Sequence, residues 1–207
     1  MHIPIAQPSL GSEESDAVLA VLASGMIAQG PVTAAFEEEF AAYCGVPHAV
    51  AVSNGTTALH AALLAAGVGP GDEVIVPAFT FFATASAVSM CGAVPVFADV
   101  DAATATIDPA DILAKVTPKT KAVIGVHLYG QPCDVPAVRE ICDDEDLVFI
   151  EDAAQAHGAE YRGKRTGALG DLACFSFYAT KNMATGEGGM VTTGSDEYDE
   201  HLRRLIN

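Results

Sequence analysis

Basic residues are scarce in this sequence. Ten lysines and arginines stand against 27 aspartates and glutamates, a formal net charge of −17. That balance argues against a surface for nucleic acid or for an acidic membrane, both of which need clustered positive charge. A phosphate-bearing ligand must then be held by backbone amides, helix ends and a few placed side chains. No apolar run approaches the roughly 20 residues of a membrane span. The opening MHIPIAQPSLGSEESD turns polar at once, so no secretory leader is expected and the cytoplasm is the expected location. The five cysteines (Cys44, Cys91, Cys133, Cys142, Cys174) are odd in number and form no CxxC pair. They read as reduced, buried small side chains, with neither a disulfide framework nor a metal site expected. Internal repeats, low-complexity tracts and long linkers are missing as well.

What is present suits one sizeable domain: 207 residues, 50% hydrophobic and 18% charged. The first part reads as helical. GSEESDAVLAVLASG opens with Ser12 as an expected N-cap and stops at Gly25. PVTAAFEEEFAAYCG repeats the form, with Pro31 at its start and Gly45 just past its end. Short β-rich runs follow: HAVAVS, EVIVPA, PVFADV, KAVIGVH, LVFIED, ACFSFY and GMVTT. Helical stretches are expected between them at Thr56–Ala66, Thr80–Cys91, Pro109–Lys115 and Val135–Cys142, and again over DEYDEHLRRLIN. Continuous apolar strands joined through helices predict an α/β fold, a mostly parallel central sheet with helices on both faces. Ligands in such folds bind beyond the carboxyl ends of the strands.

Those ends hold unusual residues. SNGTTALH places Gly55, Thr56 and Thr57 where a strand turns into a helix, with free amides and a positive dipole end that suit an anion. The GK[ST] ending of a Walker loop is absent, and GVGPGD, which follows a helix and precedes a strand, reads as a turn. Phe79, Phe81 and Phe82 cluster at the next junction, as core packing or as a platform for a flat ring. LVFI delivers Glu151 and Asp152, and a buried carboxylate needs a partner unless both acids cap a wet edge. Lys181 follows ACFSF with no acidic residue within five positions on either side. Alone it reads as a surface lysine. Together, an anion cradle, a flat platform, a carboxylate and an isolated lysine are what pyridoxal phosphate needs for its phosphate, ring, pyridinium nitrogen and aldehyde.

These segments also carry a family likeness. IPIAQPSLGSEE, SNGTTALHAALLAAGVGPGDEVIVPAFTF, HLYGQPCD, IEDAAQAHGA and CFSFYATKNMATGEGGMVTT resemble the nucleotide-sugar aminotransferases, the DegT-type branch of the fold-type I pyridoxal-phosphate enzymes. The resemblance runs from Ile3 to Asn207. It implies an aspartate-aminotransferase-like large domain over residues 31–207, preceded by a helical segment over 1–30, with a C-terminal small domain expected beyond. It implies that Lys181 carries pyridoxal 5'-phosphate as a Schiff base and shuttles a proton, and that Asp152 pairs with the pyridinium nitrogen. Gln155 would bond near the phenolic oxygen, Phe81 would stack on the ring, and Gly55, Thr56 and Ser176 would hold the phosphate. His157, Tyr129 and Asn182 lie in the motifs without an implied role.

The implied reaction moves an amino group, commonly from glutamate, to a keto carbon of a nucleotide-linked sugar in a homodimer. A related dehydratase places histidine where Lys181 stands, and a regulatory or assembly role on the same fold is the alternative from another class. On the family's pattern, residues 1–207 alone are expected to be inactive. Leu202, Leu205 and Ile206 are expected to be exposed where a small domain would cover them.

Overall fold

The computed structural model describes residues 6–206, so Ile3 and Asn207, the limits of the family likeness, lie outside the described residues. Helices α1 (Ser12–Ser24) and α2 (Pro31–Cys44) lead into strand β1 (His48–Val52). Then come α3 (Gly55–Ala65), β2 (Glu73–Pro77), α4 (Ala83–Met90), β3 (Val94–Ala98), α5 (Pro109–Lys115) and β4 (Thr120–Val126). After a 3₁₀ turn at Leu128–Gly130 follow α6 (Val135–Asp144), β5 (Val148–Asp152), β6 (Glu160–Tyr161) and β7 (Lys164–Arg165). Strands β8 (Leu172–Ser176) and β9 (Gly189–Thr193) and helix α7 (Asp196–Ile206) complete the described chain.

Seven strands form one sheet in the order β1-β9-β8-β5-β4-β2-β3. The run from β8 through β5, β4 and β2 to β3 is parallel, and β9 is antiparallel to both β8 and β1. This is the α/β architecture expected, with one reversed strand. Side chains alternate across each strand, so one strand feeds two cores. Val74, Val76, Ile124 and Ile150 pack on one face with Leu59 and Leu63 of α3 and Val88 of α4. Ile75, Val123 and Phe149 face the other way, against Ile112 of α5 and Val138 of α6. A third cluster under α2 joins Phe40, Phe175, Phe177 and Met190. The same alternation decides where the last two residues of β5 point, since Asp152 shares the parity of Ile150 and Glu151 that of Phe149.

Several boundaries differ from the sequence reading. The N-cap of α1 is Gly11, with the Glu14 carboxylate accepting from the Gly11 amide at 2.6 Å, and Ser12 is already helical. Helix α4 begins at Ala83 because the chain first turns through Thr80–Phe82, where the Thr84 amide donates to the Phe81 carbonyl at 3.2 Å. The small hairpin β6–β7 was not anticipated; its turn takes Arg162 and Gly163 through positive φ, the form that matches strand twist. The terminal helix corrects an expectation outright. Leu202 is fully buried in the core shared with Leu59 and Leu63, and Ile206 packs against that core, leaving Leu205 half exposed. Helix α7 is strongly amphipathic, and its apolar stripe lies on α3 and β1. All five cysteines are buried and free, and burial pushes the Cys44 and Cys142 thiols up to about 12. No helix among the described residues is long and apolar enough to cross a membrane.

Candidate active site

The carboxyl ends of β1, β5 and β8 open onto one cavity of about 670 Å³. Gly55, Thr56, Phe81, Asp152, Gln155, Ser176 and Lys181 all line it, although they come from four separate stretches of chain. Thr80, Tyr178 and Glu187 line it too and were not singled out by the sequence.

At one end lies the start of α3. Asn54 caps it: the Thr57 amide donates to Asn54 Oδ1 at 2.8 Å, and the Ala58 amide to the Asn54 carbonyl at 3.0 Å. The first two helical amides, of Gly55 and Thr56, find no acceptor among the described residues, as the first turn of a helix dictates. Gly55 is glycine for reasons of room. A Cβ there would stand 2.7 Å from Ser176 Cβ and 3.1 Å from its hydroxyl oxygen. The close approach therefore brings two open amides, a helix dipole and the Ser176 hydroxyl together. Gly189 serves the same junction, since a Cβ on it would meet the Asn54 carbonyl oxygen at 2.4 Å.

Two adjacent carboxylates on β5 have opposite fates. Glu151 is fully buried on the α5–α6 face. It accepts from the Leu169 and Gly170 amides at 2.7 Å each, from the Gly167 amide at 2.9 Å, and from His127 Nε2 at 3.0 Å. The Cys133 amide donates to His127 Nδ1 at 3.2 Å, so the imidazole proton sits on Nε2 and points at Glu151. This acid is structural. Asp152 points into the cavity and is 6% exposed. Thr84 donates its hydroxyl proton to Oδ2 at 2.8 Å, and the Ala154 amide donates to Oδ1 at 3.2 Å. Burial raises the Asp152 pKa above the ordinary carboxylate value; the Thr84 hydroxyl, the Ala154 amide and then the charge of Lys181 oppose that rise.

Lys181 is half buried, and burial lowers its pKa below the usual lysine value, with the Asp152 charge acting the other way. A buried lysine so shifted supplies neutral amine more readily than a surface one. Gln155 has a fixed orientation: the Tyr129 amide donates to its Oε1 at 2.9 Å, so its NH₂ group is the end left to donate. Tyr129 itself adopts φ 55°, outside the usual range for a non-glycine residue. Phe81 is 58% exposed, its ring centroid 4.4 Å from that of Phe82.

Tyr129 and His157 are not part of the cavity wall, and Asn182 lines a neighbouring hollow that Lys181 also reaches. Asn182 Nδ2 donates to the His157 carbonyl at 3.2 Å, which leaves its Oδ1 to accept from His157 Nδ1 at 3.0 Å. The pair braces the residue next to Lys181.

The model of the DegT/DnrJ/EryC1/StrS aminotransferase family matches residues 8–207. The chain is 50% identical to a GDP-perosamine synthase of Caulobacter vibrioides, over 99% of this chain and 55% of that protein. It is 48% identical to a dTDP-3-amino-3,4,6-trideoxy-alpha-D-glucose transaminase of Streptomyces venezuelae, over 100% of this chain and 55% of that one. A protein of Streptococcus pneumoniae solved in a PLP-form superposes with a TM-score of 0.95 at 33% identity, covering 99% of this chain and 58% of its own. The chain thus spans about half the length of the curated relatives it matches.

Proposed function

Since this chain belongs to the DegT/DnrJ/EryC1/StrS aminotransferase family, we propose that its cavity holds pyridoxal 5'-phosphate for the transfer of an amino group. The observation that carries this reading is the convergence of all seven candidate residues on one cavity. The residues fit the group: two open amides beside Ser176, a buried carboxylate on the cavity wall and a lysine with a lowered pKa. Bound there, the cofactor supplies an electron sink for the pair left behind when a proton leaves the carbon beside the amine.

The chain's own residues do the rest. The Gly55 and Thr56 amides, the α3 dipole and the Ser176 hydroxyl hold the phosphate, which suits a protein so poor in basic side chains. Asp152 holds a proton on the ring nitrogen. That positive partner supplies the charge its burial lacks. Gln155 donates its Nε2 protons to the phenolic oxygen, and Phe81 offers a ring face. Lys181 is the nucleophile toward the aldehyde and afterwards carries a proton between reacting carbons.

We assign residues 31–207 to the large, cofactor-binding domain and 1–30 to a separate N-terminal segment. In support, α1 buries none of its residues, whereas α2 through α7 each bury at least one. The acceptor is a keto carbon of a nucleotide-linked sugar, a class supported by the names of the two curated relatives, and the amino donor is glutamate, as the family likeness implies. The working form is a cytoplasmic homodimer; exposed Val18, Leu19 and Leu22 on α1 favour a partner surface. Borohydride reduction of the loaded protein, followed by peptide mapping, tests the central claim. A pyridoxyl adduct on Lys181 is expected. An adduct on Lys115, Lys119, Lys121 or Lys164 instead would sink the assignment.

A further inference from the structure

The wall behind Asp152 contains a hydroxyl where the packing asks for none. Thr84 is fully buried in α4, on the stretch that also buries Ala83, Ala87 and Val88. Valine would fill the same space, and a buried hydroxyl is costly unless it is hydrogen-bonded. The Thr84 hydroxyl is bonded to Asp152 Oδ2 at 2.8 Å, and lies 3.2 Å from the hydroxyl of Thr80, one turn earlier on the cavity wall.

The chemistry of the groups fixes the direction of both bonds. An ionised carboxylate only accepts, and a threonine hydroxyl has one proton to give. Thr84 therefore gives its proton to Asp152, and the Thr80 hydroxyl must be the donor toward Thr84. The relay runs from the cavity wall inward to the carboxylate. Were Asp152 protonated and donating to Thr84, Thr84 would turn its proton toward Thr80 and the relay would run outward. A proton on Oδ2 is therefore incompatible with the inward order.

We propose that Thr84, oriented by Thr80, is a positioning residue that keeps Asp152 ionised and aimed at the ring nitrogen of the cofactor. The inference rests on the role given to Asp152 above. Burial drives that carboxyl toward its neutral form, and the Thr84 bond is the largest influence opposing it. A neutral Asp152 could not hold a proton on the ring nitrogen. The ring would then lose its positive charge, and the neighbouring Schiff-base nitrogen would become more basic, because like charges disfavour a second protonation.

The test uses the full-length protein loaded with pyridoxal 5'-phosphate, titrating the pH midpoint of the cofactor's visible band. Four variants are compared: Asp152→Asn, Thr84→Val, Thr84→Ser and Thr80→Val. Asp152→Asn is expected to raise the midpoint. Thr84→Val should raise it by about one pH unit, the scale of one hydrogen bond to a charged group. Thr84→Ser, which keeps the hydroxyl, should stay near wild type, and Thr80→Val should move the midpoint the same way by less. Cofactor affinity should fall roughly tenfold in Thr84→Val and recover in Thr84→Ser. A midpoint that moves in Asp152→Asn but not in Thr84→Val overturns this inference and leaves the role of Asp152 standing. A midpoint unmoved in Asp152→Asn overturns both. If Thr84→Val does not fold, Thr80→Val carries the test, and an unmoved midpoint there overturns the relay.

Discussion

The contact between Gly55 and Ser176 sets up a sharp separation between stability and cofactor binding. In Gly55→Ala the new methyl would sit 2.7 Å from Ser176 Cβ and 3.4 Å from Ser176 Cα. Carbon atoms rest at about 3.5–4.0 Å, so the start of α3 and the end of β8 must part by about 1 Å. Strand β8 cannot easily yield, since all five of its residues are buried and it is paired on both sides by β5 and β9. Overpacking of this kind costs about 1–3 kcal/mol, offset by up to about 1 kcal/mol from alanine's helix preference. The net loss of folding stability should be about 1–2 kcal/mol. The gap, however, opens across the phosphate cradle itself. Losing one charge-assisted hydrogen bond, worth about 1.5–3 kcal/mol, weakens binding by roughly 10- to 100-fold. Thermal unfolding of the cofactor-free protein and fluorescence titration with pyridoxal 5'-phosphate measure the two effects. Gly69→Ala, at a glycine with nothing within 4 Å and no positive φ, should change neither. Cofactor affinity within threefold of wild type in Gly55→Ala would refute the cradle.

Glu151→Gln should destabilise the fold by about 3 kcal/mol or more, because either orientation of the amide turns an NH₂ group toward amides that already donate to that position; a denaturant midpoint close to wild type would contradict this. Asp152→Asn should act in the opposite sense on the cofactor-free protein. Burial raises the Asp152 pKa above its unfolded value, so its contribution to stability is fullest below the unfolded pKa and is lost as pH rises through the folded one. The variant should therefore melt higher than wild type at neutral pH and lose that advantage in acid, while transferring amino groups far more slowly when loaded. Equal melting temperatures across that range would show that the carboxylate is not strained by its site.

Much of this site was legible because strand ends carry signals that survive in one dimension. Asn54 to Thr57 announce a cap and an open helix start, and the isolation of Lys181 from acidic neighbours is visible in the sequence itself. Which of Glu151 and Asp152 faces the cavity was not legible from the pair alone. It follows from the parity of Phe149 and Ile150, which becomes informative only once the faces of the sheet are known. Thr84 was hidden for a different reason. It meets Asp152 across 68 positions of sequence, and a threonine in an apolar helix announces no partner. The burial of Leu202 was readable in principle, since α7 alternates charge and leucine at helical spacing. The family's expected small domain led the reading away from α3, the helix that actually covers it.

Strand β1 touches the sheet only through β9, the last strand of the described chain. Strand β1 must therefore wait for β9, with Val52 finding Gly189 only after the intervening chain exists. Pairings of such long range are slow to form, because a long loop must close before any contact rewards it. The cradle is built at that late seam, where Gly189 fits under the Asn54 carbonyl and Gly55 under Ser176. Until β9 is in place, the Asn54 carbonyl at the start of α3 lacks the strand it packs against. Cofactor capture would then wait for β9 to close the seam beside β1.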